Sequence, residues 1–219
     1  MTTTQFETLG DVLKQYRIRY SEENFKIMKQ VKVPKSLSTD LAFTLKNIAY
    51  DVSEAAICEN LLYPILKSVW MPYVDSFALW SHKAIEYDAE LSGIPDYLIS
   101  KRSDLGKIVF EVPYIAVVEA KKDDFSGGWA QCGAEMYAMQ RLNKNMDLTI
   151  YGIVSNGETW EIGKLYNDHF TFFNNRYDIN DLKKLYNALS SIMELCLKQF
   201  WTELSINECI FYLKTVKNS

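Results

Sequence analysis

Gly93-Ile94-Pro95-Asp96 and, further on, Val117-Val118-Glu119-Ala120-Lys121-Lys122 are the stretches that decide how this chain is read. In the first, an acid follows a proline. In the second, the apolar run Tyr114-Ile115-Ala116-Val117-Val118 predicts a buried strand and stops abruptly at charge. Side chains alternate faces along a strand, so Glu119 and Lys121 are expected to point one way and Ala120 the other. Charge at the end of a buried strand is costly unless a partner compensates it. A divalent cation held by Asp96 and Glu119, with Lys121 beside it, would be such a partner. Hard carboxylate oxygens suit Mg²⁺, which usually takes one or two of them and completes its shell with water and substrate phosphate. The plainer alternative is a surface ion pair between Glu119 and Lys121, which would contribute little.

Working outward, 123–128 is polar and glycine-rich and reads as a loop. Trp129 to about Leu142 follows with helical spacing of Ala130, Ala134, Tyr137, Ala138 and Leu142. Strands are predicted at about 79–89, 95–99, 113–120, 148–154, 159–165 and 169–173. Ser155-Asn156-Gly157-Glu158 is a hairpin turn signal. Upstream, 10–25 reads as a short helix and Pro34 marks a break. Thr39 or Asp40 reads as the N-cap of a long helical stretch reaching Trp70, which Pro64 should kink or split. Two helices, about 178–204 and 206–216, close the chain. Asp181-Leu182-Lys183 is another acid-x-Lys triplet, but it falls where a helix should begin and reads as helix-start charge.

Pro95-Asp96 and Glu119-Ala120-Lys121, with this wording around them, resemble the PD-(D/E)xK nuclease superfamily. They are nearest to the nuclease domains of type I restriction subunits and related small stand-alone proteins. The resemblance covers roughly 54–166. It implies an α/β fold, a restriction-endonuclease-like α-β-β-β-α-β core with a central mixed sheet, flanked by N- and C-terminal helices. The whole of 1–219 is then one nuclease-like domain, with a core at about 40–175 and helical extensions at 1–38 and 178–219. It also implies a DNA endonuclease in which Asp96, Glu119 and the Ala120 backbone carbonyl hold Mg²⁺, for which Mn²⁺ could substitute. Lys121 would orient the attacking water or stabilise the transition state. A further acid would come from the first core helix, with Glu59 as candidate and Glu54 as its rival. Gln131 matches a glutamine that some relatives place near the site, with Glu135 and Gln140 as alternatives. Residues 131, 135 and 138 share one helical face. The resemblance leaves room for a homodimer and for a separate motor or specificity subunit. A non-catalytic module keeping this fold to bind nucleic acid or a protein is the alternative.

Composition bounds these readings. With 48% hydrophobic and 14% aromatic residues, the 219-residue chain can bury a sizeable core, which excludes wholesale disorder. No apolar run is long enough to span a bilayer, and the N-terminus lacks the regions of a signal peptide. The four cysteines, Cys58, Cys132, Cys196 and Cys209, are scattered without paired spacing. Reduced thiols in a cytoplasmic protein are therefore expected, and no zinc site. The two histidines, His82 and His169, read as ordinary surface or strand residues. The net charge of −4 counts against a nucleic-acid binder. Lys14, Arg17, Arg19, Lys26, Lys29, Lys32 and Lys35, against only Glu22 and Glu23, form a local basic excess that could face phosphates or simply be a solvated face. Lys122 could contact phosphate, and Gly127-Gly128 could allow close approach to substrate or serve as a plain helix entry. No nucleotide-binding glycine loop and no Gly-x-Ser-x-Gly elbow is found.

Overall fold

A computed structural model describes residues 6–216, with side chains to residue 200. Among the described residues nine strands form, in chain order β1 (Arg19–Glu23), β2 (Phe77–Ser81), β3 (Ile85–Glu86), β4 (Ser92–Gly93), β5 (Tyr97–Lys101), β6 (Tyr114–Ala120), β7 (Ile150–Ser155), β8 (Thr159–Tyr166) and β9 (His169–Asp178). Seven of them make one mixed sheet in the order β1-β9-β8-β7-β6-β5-β2, and β3 and β4 pair separately. Only β1–β9 and β6–β7 are parallel. The helices are α1 (Leu9–Tyr16), α2 (Lys35–Asn47), α3 (Glu54–Ile57), α4 (Tyr63–Trp70), α5 (Phe125–Asn143) and α6 (Leu182–Val216). No helix among the described residues is long and apolar enough to cross a membrane.

The apolar run in β6 has a direct structural cause, because every residue of that strand is buried. Strands covered on both faces read as continuous hydrophobic runs. One face packs Ile57, Leu61, Ile65, Val69, Leu189 and Ile192 against the sheet. The other packs Trp129, Cys132, Met136 and Met139 of α5, with Val12 of α1 behind them. Helix α5 is the crossover between the parallel strands β6 and β7. Asp124 caps it by accepting from the Gly127 N–H at 2.8 Å, so the helix starts at Phe125 and takes in the glycine pair expected to be loop.

Several boundaries differ from expectation for identifiable reasons. The helix expected over 10–25 stops at Tyr16 because Arg17 turns left-handed, with φ 54°, and the chain continues as β1. That strand is mostly exposed and charged, as edge strands often are, so it carries no apolar alternation. The helical stretch expected from Thr39 or Asp40 begins earlier, with Pro34 at its N-cap, and breaks between Asn47 and Ser53. Ser53 then caps α3 by accepting from the Ala56 N–H at 3.1 Å. Instead of a bare kink at Pro64, a π-helical turn over Cys58–Leu62 joins α3 to α4. Pro64 has no N–H to donate back along the helix and its ring would crowd the preceding turn; the wider π turn absorbs both problems. The strand expected over 79–89 is β2 followed by the short β3, and the two expected C-terminal helices are one helix, α6. Asp181 accepts from the Lys184 N–H at the start of α6, as its helix-start reading requires.

Candidate functional site

The site forms where β5 begins and β6 ends. In the β5–β6 register Tyr97 faces Val118, and continuing it by one residue sets Asp96 opposite Glu119. Facing residues of adjacent strands share one side of the sheet. Here that is the α5 side, where Leu98 and Val117 also pack. Asp96 is anchored by the strand itself: its Oδ2 accepts from the Ala120 N–H at 2.8 Å, and its backbone carbonyl accepts from the His82 N–H at 3.0 Å. Lys121 lies just past the strand. Its Nζ stands 3.8 Å from Glu119 Oε2 and 3.9 Å from Glu54 Oε2. Its stem lies over Gly128, where an added Cβ would come within 2.7 Å of Lys121 Cγ. Glu119 and Lys121 therefore point the same way. The surface-pair alternative fails on burial, because Glu119 is only 1% exposed.

Glu135 on α5 closes the site from the helix side. It is 4% exposed, and its carboxyl lies within hydrogen-bonding reach of Glu119. Burial raises both carboxyls above the ordinary range, Glu119 strongly and Glu135 to about 7. The nearby Asp96 charge pushes the same way, and Lys121 opposes it. Gln131 Nε2 donates to Glu135 Oε1 at 3.3 Å. Two carboxylate oxygens remain buried without a partner, Glu119 Oε1 and Glu135 Oε2.

The fold thus brings Asp96, Glu119, Lys121 and Glu54 together, with Gln131 behind Glu135. Glu59 is exposed on the π turn and meets none of them through any hydrogen bond or ion pair described here. Gln140 lies further along α5, where its side chain donates to the Asn167 carbonyl. Lys122 is exposed. The Ala120 side chain is fully buried in the opposite core, as strand alternation requires. His82 is an exposed surface residue, as expected, and it also borders the site. Its backbone is left-handed, with φ 49°, its Nδ1 meets Ser81 Oγ at 2.8 Å, and its Nε2 stands 3.4 Å from Asp96 Oδ1. His169 is a strand residue bonded to Ser21.

Of the basic excess at 14–35, Arg19 lies on strand β1, away from this site. Strand β1 is four strands from β6, about 19 Å at the usual strand spacing. Within it Arg19 pairs with Asp168, and Lys29 with Glu194 and Tyr73. Cys58, Cys132 and Cys196 are separate, buried free thiols. Cys209 lies outside the described side chains.

Among the described residues, no three acidic, histidine or cysteine side chains converge tightly enough to enclose a metal ion by themselves. The orphaned oxygens of Glu119 and Glu135 are nonetheless hard, acceptor-only groups, and the lone pairs left open are the kind that Mg²⁺ or Mn²⁺ binds. Since Mg²⁺ usually takes only one or two carboxylates and keeps waters, this donor set fits it. Neither a protein-family model nor a curated protein matches the chain.

Proposed function

We propose that the crevice at the ends of β5 and β6 hydrolyses DNA phosphodiester bonds as a divalent-cation-dependent endonuclease of restriction-endonuclease-like fold. The observation that carries this reading is the meeting of Asp96 with Glu119 and Lys121, more than twenty residues further along the chain, at a carboxylate with one oxygen left buried and unpaired. An acceptor stranded in this way costs stability and has no packing use. The element order α4-β2-β5-β6-α5-β7 supports the α-β-β-β-α-β core, with β3–β4 as an excursion from it.

Asp96 and Glu119 would hold the cation, with the Ala120 carbonyl beside them. Bound there, it would neutralise charge on the phosphate and acidify a water. Asp96 is kept in place by the Ala120 N–H, so its carboxylate needs little reorganisation. Lys121, with its stem pinned over Gly128, presents a fixed ammonium where negative charge grows in the transition state. Glu54, at 3.9 Å, helps to hold that ammonium on the site side.

The second reading is a non-catalytic module that keeps the fold to bind nucleic acid or a protein. The net charge of −4 and the distance of β1, with its Arg19, from the site favour it. Incubation of supercoiled, linear and branched DNA with Mg²⁺ or Mn²⁺, against EDTA, separates the two. Metal-dependent cleavage that disappears in Lys121→Ala supports the nuclease. Failure to cleave any DNA form, with a melting temperature indifferent to both ions, leaves the binding module.

A further inference from the structure

Glu135 has no part in the ligand set above, yet it is the side chain in closest association with Glu119. Three features build its position. Its carboxyl reaches the Glu119 carboxyl. Gln131 holds its Oε1 at 3.3 Å. Gly93 leaves it room, since a Cβ on residue 93 would stand 2.7 Å from that same oxygen. A purely structural role explains this arrangement poorly. No hydrogen-bond donor among the described residues reaches Glu119 Oε1 or Glu135 Oε2, and both are buried. When ionised, the two carboxylates carry the charge that one divalent cation neutralises. Their hard oxygens suit Mg²⁺ or Mn²⁺ better than a softer metal.

We propose that Glu135 is a ligand of the cation together with Glu119, so that the metal lies between β6 and α5 and Gln131 and Gly93 fix the carboxylate that receives it. This rests on the metal-dependent reading of the site and extends its ligand set from the strand ends to the crossover helix.

The test is Mn²⁺ binding, read from the electron paramagnetic resonance signal of free Mn²⁺, for wild type, Glu135→Gln and Gly93→Ala. No DNA is needed. Glu135→Gln preserves shape and hydrogen bonding. It should weaken binding about tenfold or more, since even residues that merely support a metal ligand cost that much. Gly93→Ala, which displaces Glu135 without removing it, should weaken binding severalfold. Wild-type affinity in a folded Glu135→Gln protein, checked by circular dichroism, overturns the ligand assignment while leaving the metal-dependent reading intact. If Glu135→Gln does not fold, wild-type affinity in Gly93→Ala overturns it instead. Absence of Mn²⁺ binding by the wild type at millimolar concentration removes both the assignment and the reading beneath it.

Discussion

Replacing Glu135 by glutamine should stabilise the metal-free protein at alkaline pH and leave it unchanged in acid. Glu135 is buried, and loss of hydration raises its carboxyl from 4.5 to about 7. Between those values the folded protein retains a proton that the unfolded chain has released. Stability therefore falls as pH rises through this interval, and the loss from Glu135 is complete by about pH 8. Each pK unit corresponds to about 1.4 kcal/mol, so the shift amounts to about 3 kcal/mol, a large share of the 5–15 kcal/mol typical of a domain. Glutamine removes that proton linkage. Its amide can donate to Glu119, and its carbonyl can accept from Gln131. Urea unfolding in EDTA, stepped from pH 4.5 to 8.5, should show the variant gaining up to about 3 kcal/mol at the alkaline end and nothing at the acid end. Saturating Mn²⁺ should narrow that gap, because the wild type gains about 2.7 kcal/mol when metal exceeds its dissociation constant a hundredfold, whereas a variant that binds tenfold more weakly gains about 1.4 kcal/mol at the same concentration. Parallel pH curves for the two proteins in EDTA would refute the reasoning.

Lys121→Ala should abolish DNA cleavage and shift the melting temperature by no more than a few degrees, whereas Lys122→Ala, on an exposed side chain, should weaken DNA retention in a binding assay and spare turnover. Asp96→Asn keeps an oxygen to accept the Ala120 N–H, so it should fold, and thermal melts should show it no longer stabilised by Mg²⁺ or Mn²⁺. Gly128→Ala places a Cβ 2.7 Å from both Lys121 Cγ and Val154 Cγ1. Overpacking of that kind costs about 1–3 kcal/mol in urea unfolding, and here it should also lower cleavage by displacing the Lys121 stem.

The strand pair that carries Asp96 and Glu119 is legible in the sequence because its signals are local. A proline-acid pair opens one strand, and an apolar run ends in Glu-x-Lys on the next. The partner from α5 is harder to see. Gln131, Glu135 and Gln140 are all polar residues on a helix, and an exposed position explains each of them until burial is known. A usable signal does exist. Ala130, Cys132, Gly133, Ala134, Met136, Ala138 and Met139 surround Glu135 on most sides of the helix. A helix apolar around most of its circumference is a buried one, so an acid within it requires a partner. The edge strand β1 gives no comparable signal. Its residues Arg19, Glu22 and Glu23 are charged because the strand lies at the exposed margin of the sheet, and its pairing with β9 joins residues far apart in the chain.

The choice between Glu54 and Glu59 depends on helix phase. In an ordinary α-helix residues five apart are separated by about 140° around the axis, so the two acids cannot both face Lys121. Selecting one from sequence assumes regular α-helical phase between the acids and the apolar run that follows. The π turn over Cys58–Leu62 breaks that assumption. It adds a residue to one turn, and the Tyr63 N–H reaches back five residues to the Cys58 carbonyl. The same carbonyl accepts from the Tyr97 hydroxyl at 3.1 Å, tying the turn to the strand that starts beside Asp96. The apolar face downstream is thereby rotated relative to the first helical turn, and Glu54, not Glu59, comes within 3.9 Å of Lys121. Pro64 thus does more than interrupt a helix. By favouring the wider turn it sets which acid borders the site, and a substitution that restored regular α-helical phase there would alter the surroundings of Lys121 without touching any residue of the carboxylate pair.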